Sequence, residues 1–174
     1  STLTMGTMMF GGEGKFATVG SSGVDEARRL IDMCLDAGVN LLDTANMYSA
    51  GRSEEIIGEV LNGKRPKGVL LATKARFRMG DGPNDVGLSR HHLIRECEAS
   101  LRRLRTAVID LYPVHQWDGL TPLEATLQPP DPLVQHGQVS YLCRSNSSAL
   151  PPLPPLRLPR PPPPPPSPPS HFPY

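Results

Sequence analysis

Residues 39–74, VNLLDTANMYSAGRSEEIIGEVLNGKRPKGVLLATK, contain the pattern from which the architecture follows. They begin with a nearly continuous apolar run over Val39–Asp43 and end with a second run over Gly68–Lys74, and both runs close on a polar residue. Between the runs, Ser53 is a predicted helix cap, and the apolar residues after it recur at helical spacing. Two buried strands joined by a helix predict the βαβ unit of a parallel α/β sheet.

The same alternation continues on both sides of this unit. Further strands are predicted over Thr7–Phe10, Val108–His115 and Val139–Cys143. Further helices are predicted to begin near Asp25, at Ser89 and at Thr121, and the last of them runs into Pro129, Pro130 and Pro132. A proline inside a helix removes a hydrogen-bond donor and costs about 3 kcal/mol, so we expect this fourth helix to fail or to kink.

Four strand–helix units and a fifth strand amount to about half of a TIM barrel. A complete (β/α)8 barrel typically needs about 250 residues, whereas this chain has 174. A small open doubly wound sheet fits that length better. Hydrophobic periodicity alone does not separate the two architectures, so both stay open at this point. The positions of the polar residues favour the partial (β/α)8 barrel.

The composition divides the chain into two regions. Residues 151–174 hold 14 of the 21 prolines, so we interpret them as a disordered, proline-rich tail in extended polyproline II conformation after a barrel region at 1–150. The run from Pro152 to Arg157 fits the PxxPxR pattern that SH3-type grooves bind. Any proline run with scattered arginines matches this pattern by chance.

Charge and cysteine content exclude several functional classes. Lysine and arginine number 18 against 17 acidic residues, so the chain lacks the positive field of a sequence-independent nucleic-acid or membrane binder. No apolar run approaches the roughly 18 residues of a membrane span, and Ser1–Gly6 lacks the pattern of a leader peptide. The three cysteines are widely spaced, which predicts reduced thiols, no metal site and a cytoplasmic location.

Polar residues follow the predicted strands at the points where the strands end. Asp43, Lys74 and His115 close three of them, and Tyr48 lies in the loop after the second. Because the carboxyl ends of barrel strands open on one face, these four side chains could converge on one site. Each has an ordinary structural explanation when taken singly, but their joint placement favours a site.

This set of residues suits the reduction of a carbonyl group by hydride transfer. The carbonyl oxygen gains negative charge and needs a proton donor. Tyr48 would serve if the charge of Lys74 favoured its ionised form, since a tyrosine hydroxyl has a pKa of about 10. Asp43 would hold the lysine by an ion pair, and His115 would orient the substrate oxygen.

Five short segments resemble the aldo-keto reductase family. They are Gly6–Gly11 (GTMMFG), Asn40–Ala45 (NLLDTA) continuing to Tyr48, Gly51–Glu54 (GRSE), Ala72–Lys74 (ATK), and Ile109–Tyr112 (IDLY) continuing to His115. The likeness runs in order over about residues 6–125 and is greatest to bacterial members related to potassium-channel β subunits.

The resemblance implies a (β/α)8 barrel and an NADPH-dependent reductase of aldehydes or ketones. It implies a catalytic tetrad of Asp43, Tyr48, Lys74 and His115. The residues that it implies around the nicotinamide are Gly6, Thr7, Met8, Asp43, Ser145 and Asn146.

The resemblance ends near the fifth strand. Gln128–Pro132 and Leu142–Ser147 depart from the family pattern, and nothing after Leu150 resembles it. We interpret the ending as a truncated or frame-shifted reading of a longer reductase, with a genuine short form as the competing hypothesis. The alternative function is that of a catalytically inactive interaction or subunit-binding protein, because a half-barrel would expose two strand edges, at Thr7–Phe10 and Val139–Cys143, that favour self-association.

Two polar clusters have simpler interpretations. His91 and His92 are adjacent at a helix start without a cysteine or carboxylate to complete a metal set, so we interpret them as a solvated helix end. Arg102, Arg103 and Arg105 lie late in the same helix, where positive charge complements the helix dipole.

Overall fold

The computed structural model describes residues 1–121 and 131–144. The predictions of a fourth helix after Thr121, of an extended tail, and of nicotinamide contacts from Ser145 and Asn146 lie outside these residues.

Five parallel strands form one sheet in chain order. They are β1 (Met5–Gly6), β2 (Leu41–Asp43), β3 (Leu70–Ala72), β4 (Ile109–Val114) and β5 (Val139–Arg144). Each strand pairs in parallel with the next along the chain. A doubly wound sheet reverses its strand order at a switch point, whereas a TIM barrel winds in one direction. The described sheet is therefore a partial (β/α)8 barrel, as predicted.

Helices connect the strands and cover the sheet. They are α1 (Val24–Asp36), α2 (Arg52–Leu61), α3 (Arg90–Leu104) and a short α4 (Asp131–Gln135), with 3₁₀ turns at Gly14–Phe16 and Tyr48–Gly51. Helix α2 packs between α1 and α3. The core lies between helices and strands, where Ile31, Leu42, Ile57, Leu71 and Ile109 are at most 1% exposed.

The first strand differs from its prediction. Thr7–Phe10 was expected to be a strand, but β1 is Met5–Gly6 and the chain turns immediately afterwards, with the Phe10 N–H donating to the Thr7 carbonyl at 3.0 Å. The Thr7 N–H still bonds the Asp43 carbonyl of β2 at 3.0 Å, but the Thr7 carbonyl accepts the Phe10 N–H and, at 2.8 Å, the Ser53 hydroxyl, so the ladder does not continue. The turn buries the Phe10 side chain in the core.

The predicted cap of α2 is also wrong. The helix begins at Arg52, and Gly51 is the residue before it, with a φ of 100°. Ser53 instead lies inside the first turn, fully buried, and donates to the Thr7 carbonyl at 2.8 Å. The serine therefore ties the helix to the turn after β1.

Helix α3 begins after Ser89 as predicted, but of the two histidines at its start only His91 is exposed. Ser89 accepts the backbone N–H of His92, and His92 itself is 0% exposed. Its ring lies beside Arg95, with 3.3 Å between the Arg95 guanidinium and Nδ1, and burial lowers its pKa. His92 is therefore a buried residue and not part of a solvated helix end.

Candidate functional site

The sheet brings the four predicted side chains to one end. Asp43 ends β2, Lys74 lies two residues after β3, and His115 directly follows β4. The Lys74 Nζ is 5.5 Å from the centre of the Tyr48 ring, and the rings of Tyr48 and His115 are 5.8 Å apart between centres. The convergence expected from the strand ends is therefore present.

Lys74 is held in a fixed position. The lysine is 6% exposed. Its ammonium donates to Asp43 Oδ2 at 2.6 Å and to the Thr44 carbonyl at 3.0 Å. An ammonium taken out of water requires such partners, because desolvation of a charge costs several kcal/mol. The ion pair inferred from the sequence exists, and it places a buried cation beside Tyr48.

A strained turn positions Tyr48. Ser49 and Ala50 have φ values of 49° and 56°, and Gly51 follows at 100°. Non-glycine residues in this conformation cost about 1–3 kcal/mol each and persist only where the surroundings enforce them. Ser49 supplies the anchor, since its buried hydroxyl donates to the Phe10 carbonyl and accepts the Gly12 N–H, both at 2.9 Å. The turn is thereby fastened to the loop after β1.

The electrostatics of Tyr48 differ from the sequence-based expectation. Burial raises the pKa of the Tyr48 hydroxyl, and the Asp43 carboxylate raises it further. Burial is the larger of these two effects, so the pKa lies above its usual value although the Lys74 ammonium is 5.5 Å from the ring centre. The hydroxyl therefore keeps its proton at neutral pH and is a hydrogen-bond donor in the resting protein.

His115 is neutral at the same pH. Burial lowers the pKa of His115 to about 4, and repulsion from Lys74 acts in the same direction. Its Nδ1 is buried and has no hydrogen-bond partner within residues 1–121 and 131–144. The ring is packed edge to face against Phe77, with 4.9 Å between ring centres. A neutral imidazole can offer one N–H to a substrate oxygen.

A buried polar network lies behind the tetrad, and the sequence reasoning missed it. Glu54 in α2 is 0% exposed and accepts from the Arg103 Nε of α3 at 2.6 Å and from the Thr73 hydroxyl. Arg103 thus has a specific partner, beyond the helix-dipole role that the sequence suggested. The sequence feature that could have indicated this network is Glu54 itself, because it is a carboxylate close to the apolar face of α2. The network fixes Thr73, the neighbour of Lys74, against both helices.

The residues that the family resemblance implies around the nicotinamide differ in exposure. Thr7 is fully buried, with its hydroxyl turned toward Ser53, so it serves as a clamp between β1, β2 and α2. Gly6 is exposed, and a Cβ added there would meet no heavy atom within 4 Å. Met8 is 42% exposed. The open backbone at Gly6, next to the carboxyl end of β2, suits a flat ring, so the residues present fit the nicotinamide end of the cofactor.

Two cavities lie at different ends of the sheet. One of about 700 Å³ is lined by Leu101, Arg105, Ala107, His136 and Gln138, near the amino ends of β4 and β5. The other, of about 490 Å³, is lined by residues that include Phe16, Met47 and Phe77, on the side of the tetrad. Only the second cavity of this pair is placed to hold a substrate for Tyr48.

Within 1–121 and 131–144, no group of three or more histidine, cysteine, aspartate or glutamate side chains is arranged to hold a metal ion. No helix in this described portion is both long and apolar enough to cross a membrane.

The described part of the chain is a partial (β/α)8 barrel, and a lysine–aspartate ion pair lies at the carboxyl ends of its strands. Residues 2–150 match the model of the aldo/keto reductase family. The chain belongs to that family, and the family predicted from the sequence is confirmed.

Individual relatives agree with this assignment. Probable voltage-gated potassium channel subunits beta from Oryza sativa subsp. japonica and Arabidopsis thaliana are 40% and 37% identical, over 78% and 86% of this chain. The uncharacterized oxidoreductase YrpG of Bacillus subtilis (strain 168) is 38% identical over 84%. Among solved structures, the holo form of the aldo-keto reductase AKR11C1 from Bacillus halodurans superposes with a TM-score of 0.66 at 33% identity, covering 82% of this chain.

The chain spans less than half the length of these relatives. The matches cover 42% and 45% of the two channel subunits, 45% of YrpG and 45% of AKR11C1. Residues 2–150, which include the half-barrel, are the part that matches the family.

Proposed function

We propose that this chain carries the proton-donating centre of an NADPH-dependent reductase that converts aldehydes or ketones to alcohols. The observation that carries the proposal is the ion pair of the buried Lys74 with Asp43, 2.6 Å between Nζ and Oδ2, placed beside a protonated Tyr48 and a neutral His115. Membership of a reductase family supports the same reaction class.

The cofactor would lie over the carboxyl end of β1 and β2. Gly6 and Met8 would border the nicotinamide, Thr7 would hold the backbone beneath it and Asp43 would lie at its side. Ser145 and Asn146 are proposed for the carboxamide. NADPH, when bound, supplies the hydride that the carbonyl carbon accepts.

The chain's own residues handle the proton. The substrate oxygen would accept hydrogen bonds from the Tyr48 hydroxyl and from His115, and as negative charge develops there the Tyr48 proton passes to it. The phenolate left on Tyr48 is stabilised by the ammonium of Lys74, which Asp43 keeps in place. A positioned acid of this kind contributes typically about 10² to 10⁴ in rate.

Balanced charge and unlinked cysteines support a cytoplasmic setting for this chemistry. The formal net charge is +1, and Cys34, Cys97 and Cys143 are all free thiols. We propose a small carbonyl compound as the partner, in preference to a nucleic acid or a membrane.

Association through a strand edge is the second candidate function. Within the described residues β5 pairs only with β4, and Tyr141 on β5 is 68% exposed. An uncovered edge of this kind can pair with a second chain, and two relatives carry names of channel subunits. Sedimentation of the 174-residue chain tests this candidate: concentration-dependent dimers support it, and a monomer over the whole range refutes it.

The decisive experiment combines cofactor binding with turnover. NADPH should quench the fluorescence of Trp117, the only tryptophan, two residues after His115, and an aldehyde should then oxidise the bound NADPH. Tyr48→Phe should retain binding and lose at least about 100-fold in turnover.

Tyr141→Phe is the matched control, because it removes the same hydroxyl from an exposed site on β5. Unchanged turnover in Tyr48→Phe would remove this residue from the mechanism. Absence of NADPH binding to a folded sample would refute the reductase and leave the subunit function.

A further inference from the structure

The 490 Å³ cavity adjoins the tetrad through two aromatic rings. Phe16, which lines it, is packed edge to face on Tyr48, with 5.6 Å between ring centres. Phe77, on the other wall, is packed in the same way on His115 at 4.9 Å. A molecule in the cavity is therefore separated from the tetrad by no more than one layer of side chains.

Most of the cavity wall is apolar. The apolar side chains that line it are Phe16, Met47, Ala50, Phe77, Met79 and Val86. Such a wall favours a hydrophobic or aromatic ligand body, since apolar surface gains free energy when it leaves water.

The charged part of the wall is entirely basic. Lys15, Arg76 and Arg78 line the cavity, and none of its lining residues is an acid. In the described part of the chain, no ion pair involves any of these three. Arg78 donates to the carbonyls of Gly80 and Gly82, which are uncharged.

Arg76 is the most informative of the three cations. Its guanidinium carbon lies 4.8 Å from the centre of the Phe77 ring, and its Nε is buried without a hydrogen-bond partner in the described residues. Elsewhere Arg52, Arg65, Arg95 and Arg103 each meet a carboxylate. A guanidinium stacked on a ring, with a donor unused, matches the planar geometry of a carboxylate.

We propose that this cavity binds the carboxylate of the substrate, so that the preferred substrates are apolar carbonyl compounds that also carry a carboxylate. The inference rests on the proposed reductase function, and it specifies the substrate class for that site. Arg76 anchors the anion, Lys15 and Arg78 add positive potential, and Phe77 lies between the anion and His115. The carbonyl and the carboxylate should accordingly be about one aromatic ring apart.

Equilibrium binding to the 174-residue chain tests this preference without requiring turnover. The probes are para-carboxybenzaldehyde and its neutral methyl ester, compared by calorimetric or ligand-observed NMR titration with and without NADP⁺, the oxidised cofactor, which has no hydride to transfer to the aldehyde. The acid should bind about tenfold more tightly than the ester, as expected for one charge-assisted hydrogen-bonded contact.

Three variants locate the effect. Arg76→Gln should bring acid and ester to nearly equal affinity. Arg78→Gln, at an exposed position, should reduce the preference for the acid by a smaller factor. This second variant still tests the anion site if Arg76→Gln does not fold. Lys67→Gln removes one positive charge from an exposed position three residues before β3, at the other end of the sheet, and should keep the full preference.

The outcomes separate this inference from the proposed function. Equal affinity of wild type for acid and ester overturns the anion site, as does a preference that persists in both arginine variants. Weakened NADPH binding in Arg76→Gln by the same factor would assign the cations to the cofactor phosphates and also overturn it. A retained acid preference without oxidation of NADPH supports the anion site and refutes the reductase instead.

Discussion

Replacing Arg103 by glutamine should destabilise the fold by about 3–5 kcal/mol, because it removes one partner of a buried ion pair. Arg103 Nε donates to Glu54 Oε2 at 2.6 Å, and the side chains are 19% and 0% exposed. The substitution leaves the Glu54 carboxylate out of water with the Thr73 hydroxyl as its remaining described donor. A native domain is stable by only about 5–15 kcal/mol in total, so the loss is large.

Urea denaturation followed by circular dichroism measures this loss as a lower midpoint. Arg52→Gln is the matched control, since Arg52 also contacts two carboxylates, Glu55 and Glu59, but on the surface, where its side chain is 31% exposed. Exposed pairs contribute about 0–1 kcal/mol. Combining Arg103→Gln with Glu54→Gln should cost less than the sum of the single changes, because the two groups are coupled.

Equal destabilisation by Arg103→Gln and Arg52→Gln would refute the reasoning. It would mean that the buried ion pair of Glu54 contributes no more to the free energy of unfolding than an exposed ion pair does. Additive single and double changes would refute it as well, since they would show that Arg103 and Glu54 contribute independently.

Three further predictions concern the same fold. Stability should fall as the pH drops from about 6.5 to about 4. The pKa of His115 is lowered to about 4 in the folded chain, so between these pH values only the unfolded chain protonates this histidine. His115→Gln should reduce the dependence of stability on pH in denaturation curves measured over the same range. Gly58→Ala should destabilise by about 1–3 kcal/mol despite the better helix propensity of alanine, since the added Cβ would lie 2.2 Å from the Arg103 carbonyl oxygen, and an unchanged or raised urea midpoint would contradict the clash. Cys97 should resist alkylation in the folded chain, because burial raises its thiol pKa to about 12; mass spectrometry of the labelled protein checks this against the half-buried Cys34 and against a denatured sample.

Much of the barrel could be predicted because its signals are local. An apolar run closing on a polar residue marks both a buried strand and its carboxyl end, so Asp43, Lys74 and His115 could be assigned to one face before any contact was known. The first strand was misplaced because Thr7–Phe10 has the composition of a strand. The strand ends earlier because the Ser53 hydroxyl, 46 residues away in sequence, bonds the Thr7 carbonyl.

The amino-acid sequence alone determined the family, the order of the five strands and the positions of Asp43, Lys74 and His115 at strand ends, because each of these depends on spacing along the chain. The tertiary structure decided the charge states within the site. Tyr48 keeps its proton because burial raises the pKa of its hydroxyl and the Asp43 carboxylate raises it further. His115 stays neutral because burial lowers its pKa and the Lys74 charge acts in the same direction. The buried Glu54–Arg103 pair and the basic wall of the cavity beside Phe77 likewise arise only when distant segments pack together, since desolvation and Coulomb interaction depend on separation in space.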